Sequence, residues 1–350
     1  MDVSRRTLLM AAASGCAAAF AGPAMAAQAG TEPGGFRAVA ESINATIRAN
    51  HYRPAELDSD AYRRIEAEVI ALGERSATAA EFMTGFNALW RRGPFSHVGL
   101  RRAEEPVAAG LARLDTLTAG DGAVALAWQG EAAILTVNTM SGADTIEKIE
   151  AAYDAIAARG AERLILDLRA NDGGAFAVVP LVGHLISEPI VAGVFASRLW
   201  YRDHSAPPGP SDFPTAIPWR GYSVQAFLAA MLARPLTGYR IDPLGPRYQG
   251  PVFVLTSRRS ISAAEIAVDA LKAAGRATII GEKTPGALLS SRLFDVPGGF
   301  HLRIPVADYY SIENGRIEGV GITPDVPTTA DQALQVALSH PLGERGRPAA

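Results

Sequence analysis

The stretch Pro251–Gly286 constrains the fold of this chain more strongly than any other. It opens with PVFVLT, a short apolar run rich in Val, which predicts a buried strand. A helical run follows from Ser262 to Gly275, and Thr278–Ile280 then predicts a second strand. Ser262 therefore lies at a helix N-terminus, where unpaired backbone N–H groups point outward. Ser is also a preferred N-cap residue, so this stretch alone is compatible with a serine that only caps the helix.

The residues before this stretch predict an α/β core. Ala132–Asn138 and Arg163–Leu168 are apolar segments typical of strands, and Thr145–Ala158 between them has the spacing of an amphipathic helix. Strands that alternate with helices favour βαβ units with parallel strands. The turn NDGG follows the second strand, at the sheet end where ligands bind in such folds. Gly173 and Gly174 in this turn are therefore candidates for exposing backbone N–H groups.

The flanking segments predict the domain organisation. Three amphipathic helical patterns predict an N-terminal helical subdomain over residues 27–110. The α/β core is expected over residues 111–327, with a Pro- and Gly-rich insertion at 204–250 that is long enough to form a lid or a groove wall. Residues 328–350 are expected to form a short helix and a polar tail.

Met1–Ala26 has the features of an export signal. Twin arginines, Arg5 and Arg6, precede an Ala-rich apolar stretch that ends in the small-residue pattern of a signal-peptidase site. We therefore expect a periplasmic or extracellular protein with no stable membrane insertion after cleavage. Lipidation at Cys16 is a disfavoured alternative, because no Leu lies three residues earlier. Cleavage would remove Cys16, the only cysteine, which excludes disulfides and Cys-ligated zinc from the mature chain.

Three motifs resemble those of a known family. LILDLRANDGG, VFVLTSRRSISAAEIAVDALKAAGRATIIGEKTPG and IEGVGITPDV follow one another in the order typical of the C-terminal processing and tricorn-core serine peptidases. Those enzymes have a crotonase-like α/β fold, which the resemblance implies for residues 132–327. Their nucleophile is the Ser three residues before the Glu of a Ser-x-Ser-x-x-Glu run, and the matching residues here are Ser262 and Glu265.

The resemblance also implies a histidine base. The processing peptidases place a Lys directly after the Gly of a TxG motif, but Ala287 stands at that position here. The tricorn-like branch instead uses a Ser-His pair and a Glu near a Gly-x-x-Pro-Asp motif, which Ser96, His97 and Glu318 match. In that scheme His97, with an ordinary pKa near 6.5, accepts the proton of the nucleophile. Ser96 and Glu318 would orient its ring.

The implied chemistry is acyl transfer without a metal or a cofactor. The backbone N–H groups of Ala263 and of Gly173 or Gly174 would hold the oxyanion of the intermediate. We therefore expect an exported serine peptidase that acts on peptides or unfolded protein segments, with activity falling as pH drops through the histidine range. The formal net charge of −3 argues against nucleic acid as a partner.

Two alternative functions remain open. The family also resembles the interphotoreceptor retinoid-binding proteins, so the first alternative is a non-catalytic protein that binds an apolar ligand or a peptide on the same fold. The second is a crotonase-type acyl-CoA enzyme, which shares the oxyanion-hole layout. The export signal disfavours that enzyme, because CoA thioesters are cytoplasmic. The sequence predicts neither a cleavage preference nor an oligomeric state.

Overall fold

The computed structural model describes residues 35–342. The predicted export signal, Met1–Ala26 with Cys16, lies outside these residues, as do residues 343–350 of the predicted tail. Between residues 35 and 342, none of the helices has the length and apolar character needed to cross a membrane.

The described chain contains ten α-helices, and the three that were predicted near the N-terminus are the first three. Their bounds are α1 (Arg37–Asn50), α2 (Asp60–Arg75), α3 (Ala79–Trp90), α4 (Val107–Arg113), α5 (Ala143–Arg159), α6 (Val178–Gly183), α7 (Arg198–Asp203), α8 (Val224–Leu232), α9 (Ala263–Ala273) and α10 (Ala330–Ser339). Thr78 and Glu81 form a capping box at the start of α3, which satisfies backbone N–H groups that would otherwise lack partners.

Thirteen strands form two sheets in the described residues. Their bounds are β1 (Gly99–Arg102), β2 (Val124–Gln129), β3 (Ala132–Val137), β4 (Arg163–Asp167), β5 (Ile190–Ser197), β6 (Ile217–Trp219), β7 (Leu236–Ile241), β8 (Val252–Thr256), β9 (Thr278–Gly281), β10 (Leu289–Val296), β11 (Phe300–Ser311), β12 (Gly315–Arg316) and β13 (Val326–Pro327). The first sheet has the strand order β13-β9-β8-β4-β3-β2. The second has the order β1-β11-β5-β7-β6, and β10 and β12 also pair with β11.

The first sheet is the predicted α/β core. β3, β4, β8 and β9 are parallel neighbours, whereas β2 pairs antiparallel with β3. Side chains alternate between the two faces, so that Leu164 and Leu166 of β4 pack toward α5, α6 and α9 while Ile165 packs toward α10. Because helices cover both faces, these strands are apolar on both sides, which is why they appear in the sequence as continuous apolar runs. The predicted α/β class and parallel pairing are confirmed.

The second sheet is organised around β11. This strand pairs with β10 along one edge, and with β1 and then β5 along the other. The N-terminal helices pack on this sheet, where Ile43, Phe82 and Phe86 share a hydrophobic core with Phe300 and Leu302. The predicted N-terminal subdomain therefore also supplies a strand, β1, to the second sheet.

Residues 204–250 differ from the predicted insertion. They contain the expected helical piece, α8, but also β6 and β7. β7 pairs antiparallel with β5 over six residue pairs, so this segment is an integral part of the second sheet. The sequence signal for β7 is weak because Pro235 precedes it and Gly238 lies within it, and both residue types are depleted in strands. Three residues of α8, Val224, Phe227 and Leu228, line the large cavity described below.

A buried ion pair connects the N-terminal helices to the hairpin of β11 and β12. Asp308 is fully buried and accepts a hydrogen bond of 2.7 Å from Nε of Arg316. Tyr52, just after α1, donates to Asp308 at 3.3 Å, and Nη2 of Arg316 donates to the Tyr52 hydroxyl at 3.1 Å. Burial raises the pKa of Asp308, and the positive charge of Arg316 opposes that rise. This cluster holds the hairpin that ends two residues before Glu318.

We expect Arg316→Met to lower the free energy of unfolding by about 3–5 kcal/mol, because it leaves the buried Asp308 carboxylate without its counter-charge. Urea denaturation followed by circular dichroism measures the change. Arg37→Met is the matched control, since Arg37 forms exposed ion pairs with Glu41 and Glu74 that solvent screens, and it should change stability very little. Equal effects of the two substitutions would contradict a structural role for the buried pair.

Candidate active site

Ser262 has a strained backbone conformation. Its φ is +56° and its ψ is −120°, a region that residues with a side chain rarely occupy. The one other non-glycine residue with positive φ between residues 35 and 342 is His97, at +63°. Such strain persists where the surrounding structure enforces it, and it concentrates at functional sites. The two residues predicted to be nucleophile and base are thus the two non-glycine residues with positive φ in the described chain.

The turn that carries Ser262 is tied to the end of the neighbouring strand. β4 and β8 are adjacent and parallel, so the loops after their carboxyl ends lie side by side. Ser260 donates through its hydroxyl to the Leu168 carbonyl at 2.7 Å, and the Ile261 N–H donates to the Asn171 carbonyl at 3.1 Å. The first Ser of the Ser-x-Ser motif therefore has a structural role, which leaves Ser262 free to face the cavity.

Glu265 ties the same turn to the loop after β9. Its buried carboxylate accepts hydrogen bonds from the Ser262 N–H at 3.1 Å and from the Thr284 hydroxyl at 2.7 Å. It also accepts from the N–H groups of Gly286 at 2.8 Å and Ala287 at 2.9 Å. Burial raises the pKa of the Glu265 carboxyl, and these hydrogen bonds oppose the rise. Four donors compensate the cost of burying the group, so the helix start and the loop are held together.

The Gly-rich turn approaches Ser262 closely. A Cβ on Gly173 would lie 2.7 Å from the Cβ of Ser262, so only glycine fits at this position. The Gly173 N–H, one of the predicted oxyanion donors, already donates to Oδ1 of Asn171 at 2.9 Å. The N–H groups of Gly174 and Ala263 form no hydrogen bond with any described residue. Of the three predicted donors, these two remain available.

Ser96, His97 and Glu318, the base and orienting residues that the resemblance implies, lie next to one another. Nδ1 of His97 lies 2.6 Å from the Ser96 hydroxyl oxygen. Glu318, which is 6% exposed, accepts from the Ser96 N–H at 3.3 Å and from the Leu288 N–H at 2.7 Å. Burial raises the pKa of Glu318, and hydrogen bonding from the Ser96 side chain opposes the rise. Because Nδ1 faces Ser96, Nε2 of His97 is the ring atom left for the cavity.

His97 and Ser262 line one cavity of about 920 Å³. Gly174 and Ala263 line it as well, so the two available N–H donors border the same space. No hydrogen bond joins Ser262 Oγ to the His97 ring, a separation that is common before substrate fills such a site. Phe176, next to the Gly-rich turn, adds an apolar wall to the cavity.

Burial, and secondarily the positive charge of Arg303, lowers the pKa of His97 to about 4. The ring is therefore neutral at neutral pH and able to accept a proton. This lowered pKa moves the expected loss of activity from the ordinary histidine range near pH 6.5 to more acidic pH.

Sequence reasoning missed part of the site. Asn171, which is fully buried, holds the Gly-rich turn by accepting from Gly173 and by donating from its side chain to the Val137 carbonyl at 2.8 Å. The sequence signal for this role of Asn171 was its position at the start of the NDGG turn. Glu265 was identified only as part of a motif, and its contacts with residues 284–287 could not be read from the sequence. Within residues 35–342, His, Cys, Asp and Glu side chains form no group of three or more that could hold a metal ion.

Sequence comparisons relate the chain to peptidases. The profile of peptidase family S41 matches residues 131–328, more than half of the chain. A carboxyl-terminal-processing protease of Picosynechococcus sp. is 32% identical over 171 residues, which cover 48% of this chain and 32% of that protein. A protease of the same name from Synechocystis sp. is 28% identical over 186 residues, which cover 52% and 35%. The chain therefore spans about a third of the length of these curated relatives.

Solved structures share the fold. A protein from Parabacteroides merdae superposes with a TM-score of 0.59 at 16% identity, over 88% of this chain and 98% of that chain. A lipoprotein from Streptococcus agalactiae gives a TM-score of 0.57 at 15% identity, over 91% and 100%. At these identities the likeness shows the fold alone.

We expect the reactivity of Ser262 to stay nearly constant as pH falls from neutral, and to reach half its value near pH 4. The neutral His97 ring is the active form, and its lowered pKa keeps that form populated until the pH approaches about 4. The rate of labelling by a fluorophosphonate, measured at each pH, tests this. Circular dichroism at the same pH values is the control for unfolding. A half-point near 6.5 would instead mean that the His97 ring is hydrated.

Proposed function

This chain belongs to peptidase family S41, and we propose that it is a serine peptidase with Ser262 as its nucleophile and His97 as its base. The observation that carries the proposal is that the two strained non-glycine residues of the described chain, Ser262 and His97, line one cavity. The strand–turn–helix setting of Ser262 supports the same role, since a sharp turn exposes a nucleophilic hydroxyl.

In the first half of the reaction, Nε2 of His97 takes the hydroxyl proton while Ser262 Oγ attacks the carbonyl carbon of the scissile peptide bond. The N–H groups of Gly174 and Ala263 hold the oxyanion of the tetrahedral intermediate. The intermediate then collapses, the C–N bond breaks, and the protonated His97 gives its proton to the leaving amine. An acyl-enzyme on Ser262 and a new amino terminus result.

In the second half, water attacks the acyl-enzyme and His97 removes a proton from that water. The new tetrahedral intermediate releases the carboxylic acid product, and Ser262 regains its proton from His97. No metal is required for either half.

Ser96 and Glu318 act through the ring of His97. The proposed tautomer has Nδ1–H donating to the Ser96 hydroxyl, whose own proton is directed to Glu318. The short Nδ1 to Oγ distance of 2.6 Å supports this arrangement, as does the side-chain hydrogen bond from Ser96 that opposes the rise in the pKa of Glu318. It keeps the lone pair on Nε2 and stabilises the imidazolium when it forms.

We further propose that the substrate is a peptide or an unfolded protein segment, as the named relatives are processing proteases. Residues Met1–Ala26 would direct the protein out of the cytoplasm as a twin-arginine signal, which predicts a periplasmic or extracellular location.

Intact-mass analysis after treatment with a fluorophosphonate tests the nucleophile and the base. We expect one adduct on the wild-type protein and none on Ser262→Ala. Labelling of His97→Ala should be slower by about 10²–10⁴-fold, the usual contribution of a general base. Glu318→Gln should slow labelling less, because it acts only through Ser96.

Two cavity-lining residues provide matched controls. Ser290→Ala and His301→Ala remove the same residue types from the same cavity wall and should leave labelling unchanged. An adduct that persists in Ser262→Ala would refute the nucleophile. Absence of any adduct on the wild-type protein would favour the ligand-binding alternative.

A further inference from the structure

Two arginines lie on the wall of the cavity that His97 also lines. Arg101 of β1 and Arg303 of β11 line the cavity that His97 lines. They project from the same face of the second sheet, because Gly99 pairs with Arg303 and Arg101 pairs with His301 in the antiparallel register. Arg303 therefore lies opposite Gly99, which is two positions after His97 in the chain. The positive charge of Arg101 contributes to lowering the pKa of Arg303, which is consistent with their proximity.

Neither arginine is paired with a carboxylate among residues 35–342. Within the described part of the chain, the guanidiniums of Arg101 and Arg303 form no salt bridge and no hydrogen bond. Two other arginines of this wall are satisfied, since Arg102 donates to the Gly298 carbonyl at 3.1 Å and Arg113 pairs with Glu105.

The cavity is cationic in an acidic protein. Five arginines line it against three acidic residues, a net charge of +2, whereas the whole chain carries −3. Burial is the main cause that lowers the pKa of Arg303, although its side chain remains accessible from the cavity. Two neighbouring cations that repel each other in a concave wall favour the binding of an anion.

We propose that Arg101 and Arg303 bind a carboxylate of the peptide substrate, an inference that rests on the peptidase function proposed above. A guanidinium matches both oxygens of a carboxylate through parallel hydrogen bonds, and such charge-assisted bonds are about twice as strong as neutral ones. The carboxylate comes from an acidic side chain or from the free C-terminus of the peptide, and these two sources are chemically equivalent at the arginines.

The position of the two arginines indicates on which side of the scissile bond the recognised carboxylate lies. His97 gives its proton to the leaving amine, so the leaving segment of the substrate passes His97. Arg303 lies close enough to His97 for its positive charge to lower the pKa of that ring. The recognised carboxylate therefore belongs to the leaving segment, on the C-terminal side of the bond that is cut.

Binding of this carboxylate also affects the base. The groups that face His97 are Ser96, Glu318 through Ser96, and Arg303, and Arg303 is the charged group that lowers the pKa of His97. A carboxylate bound to Arg303 would cancel part of that effect and make His97 a stronger base. Substrates with the carboxylate should thus gain in turnover as well as in binding.

Matched synthetic peptides test the subsite. One set has an amidated C-terminus and carries a single Glu or a single Gln, moved position by position along an otherwise neutral sequence. A second set carries Gln only and ends in either a free carboxylate or an amide. We expect kcat/KM, read by mass spectrometry, to rise by about 10- to 100-fold when a carboxylate lies on the leaving side. The set that shows the rise identifies the source.

Substitutions connect the preference to the arginines. Arg101→Gln combined with Arg303→Gln should abolish the preference and move the acid half-point of labelling to higher pH, whereas Arg303→Lys should retain part of the preference. Arg113→Gln is the matched control, because it removes a positive charge from the same wall but leaves the pair intact. A preference that survives in the double variant would overturn the assignment to these residues.

A binding measurement reports on the subsite even if turnover is slow. It also distinguishes failure of the carboxylate subsite from failure of the peptidase function. Each peptide is tested for protection of Ser262 from the fluorophosphonate, which reports binding without cleavage. The carboxylate subsite alone would be overturned if labelling is normal but the matched peptides do not differ. In that outcome Glu and Gln peptides, and free and amidated peptides, would protect Ser262 equally and be cleaved equally. Failure of the wild-type protein to be labelled or to cleave any peptide would overturn the peptidase function and, with it, the subsite.

Discussion

The buried carboxylate of Glu265 is the interaction on which the arrangement of the site depends. It accepts from the Ser262 N–H and from Ala287 N–H, so it joins the strained turn to the loop after β9. Leu288, the next residue of that loop, donates to Glu318, which in turn accepts from Ser96 beside His97. A continuous frame of hydrogen bonds thus connects Ser262 to His97 through two buried carboxylates. Such a frame can maintain positive φ at both ends, because the surrounding hydrogen bonds hold each strained residue in place.

The site also depends on the junction of the two sheets. The first sheet supplies Ser262 and the Gly-rich turn from the ends of β8 and β4, which are neighbours because the βαβ units are parallel. The second sheet supplies the Ser-His pair before β1 and Glu318 after β12, and both strands pair with β11. The ion pair of Asp308 and Arg316 holds the hairpin of β11 and β12 in place. Neither sheet holds a complete set, so the chemistry requires that both fold and pack together.

Sequence reasoning was accurate for features that local interactions determine and failed for features that contacts between distant segments determine. Segments such as Pro251–Thr256 are apolar on both faces, so their strand character is local and visible in the sequence. β7 was missed because its pairing with β5 outweighs the poor strand propensity of Gly238. The hydrogen bond from the Gly173 N–H to Asn171 could not be predicted from the sequence either, because a side chain two residues away can bond to the turn or face solvent.

By itself, the sequence determined the α/β class and the order of the βαβ units, because apolar periodicity is a local property of the chain. Its resemblance to the serine peptidases supplied the candidates Ser262, His97, Ser96 and Glu318. Only the tertiary structure decided that the last two meet, although 222 positions separate them, and that the ring of His97 is buried beside Arg303. A pKa depends on the burial and charge that distant segments create around a group, and no local pattern encodes that environment.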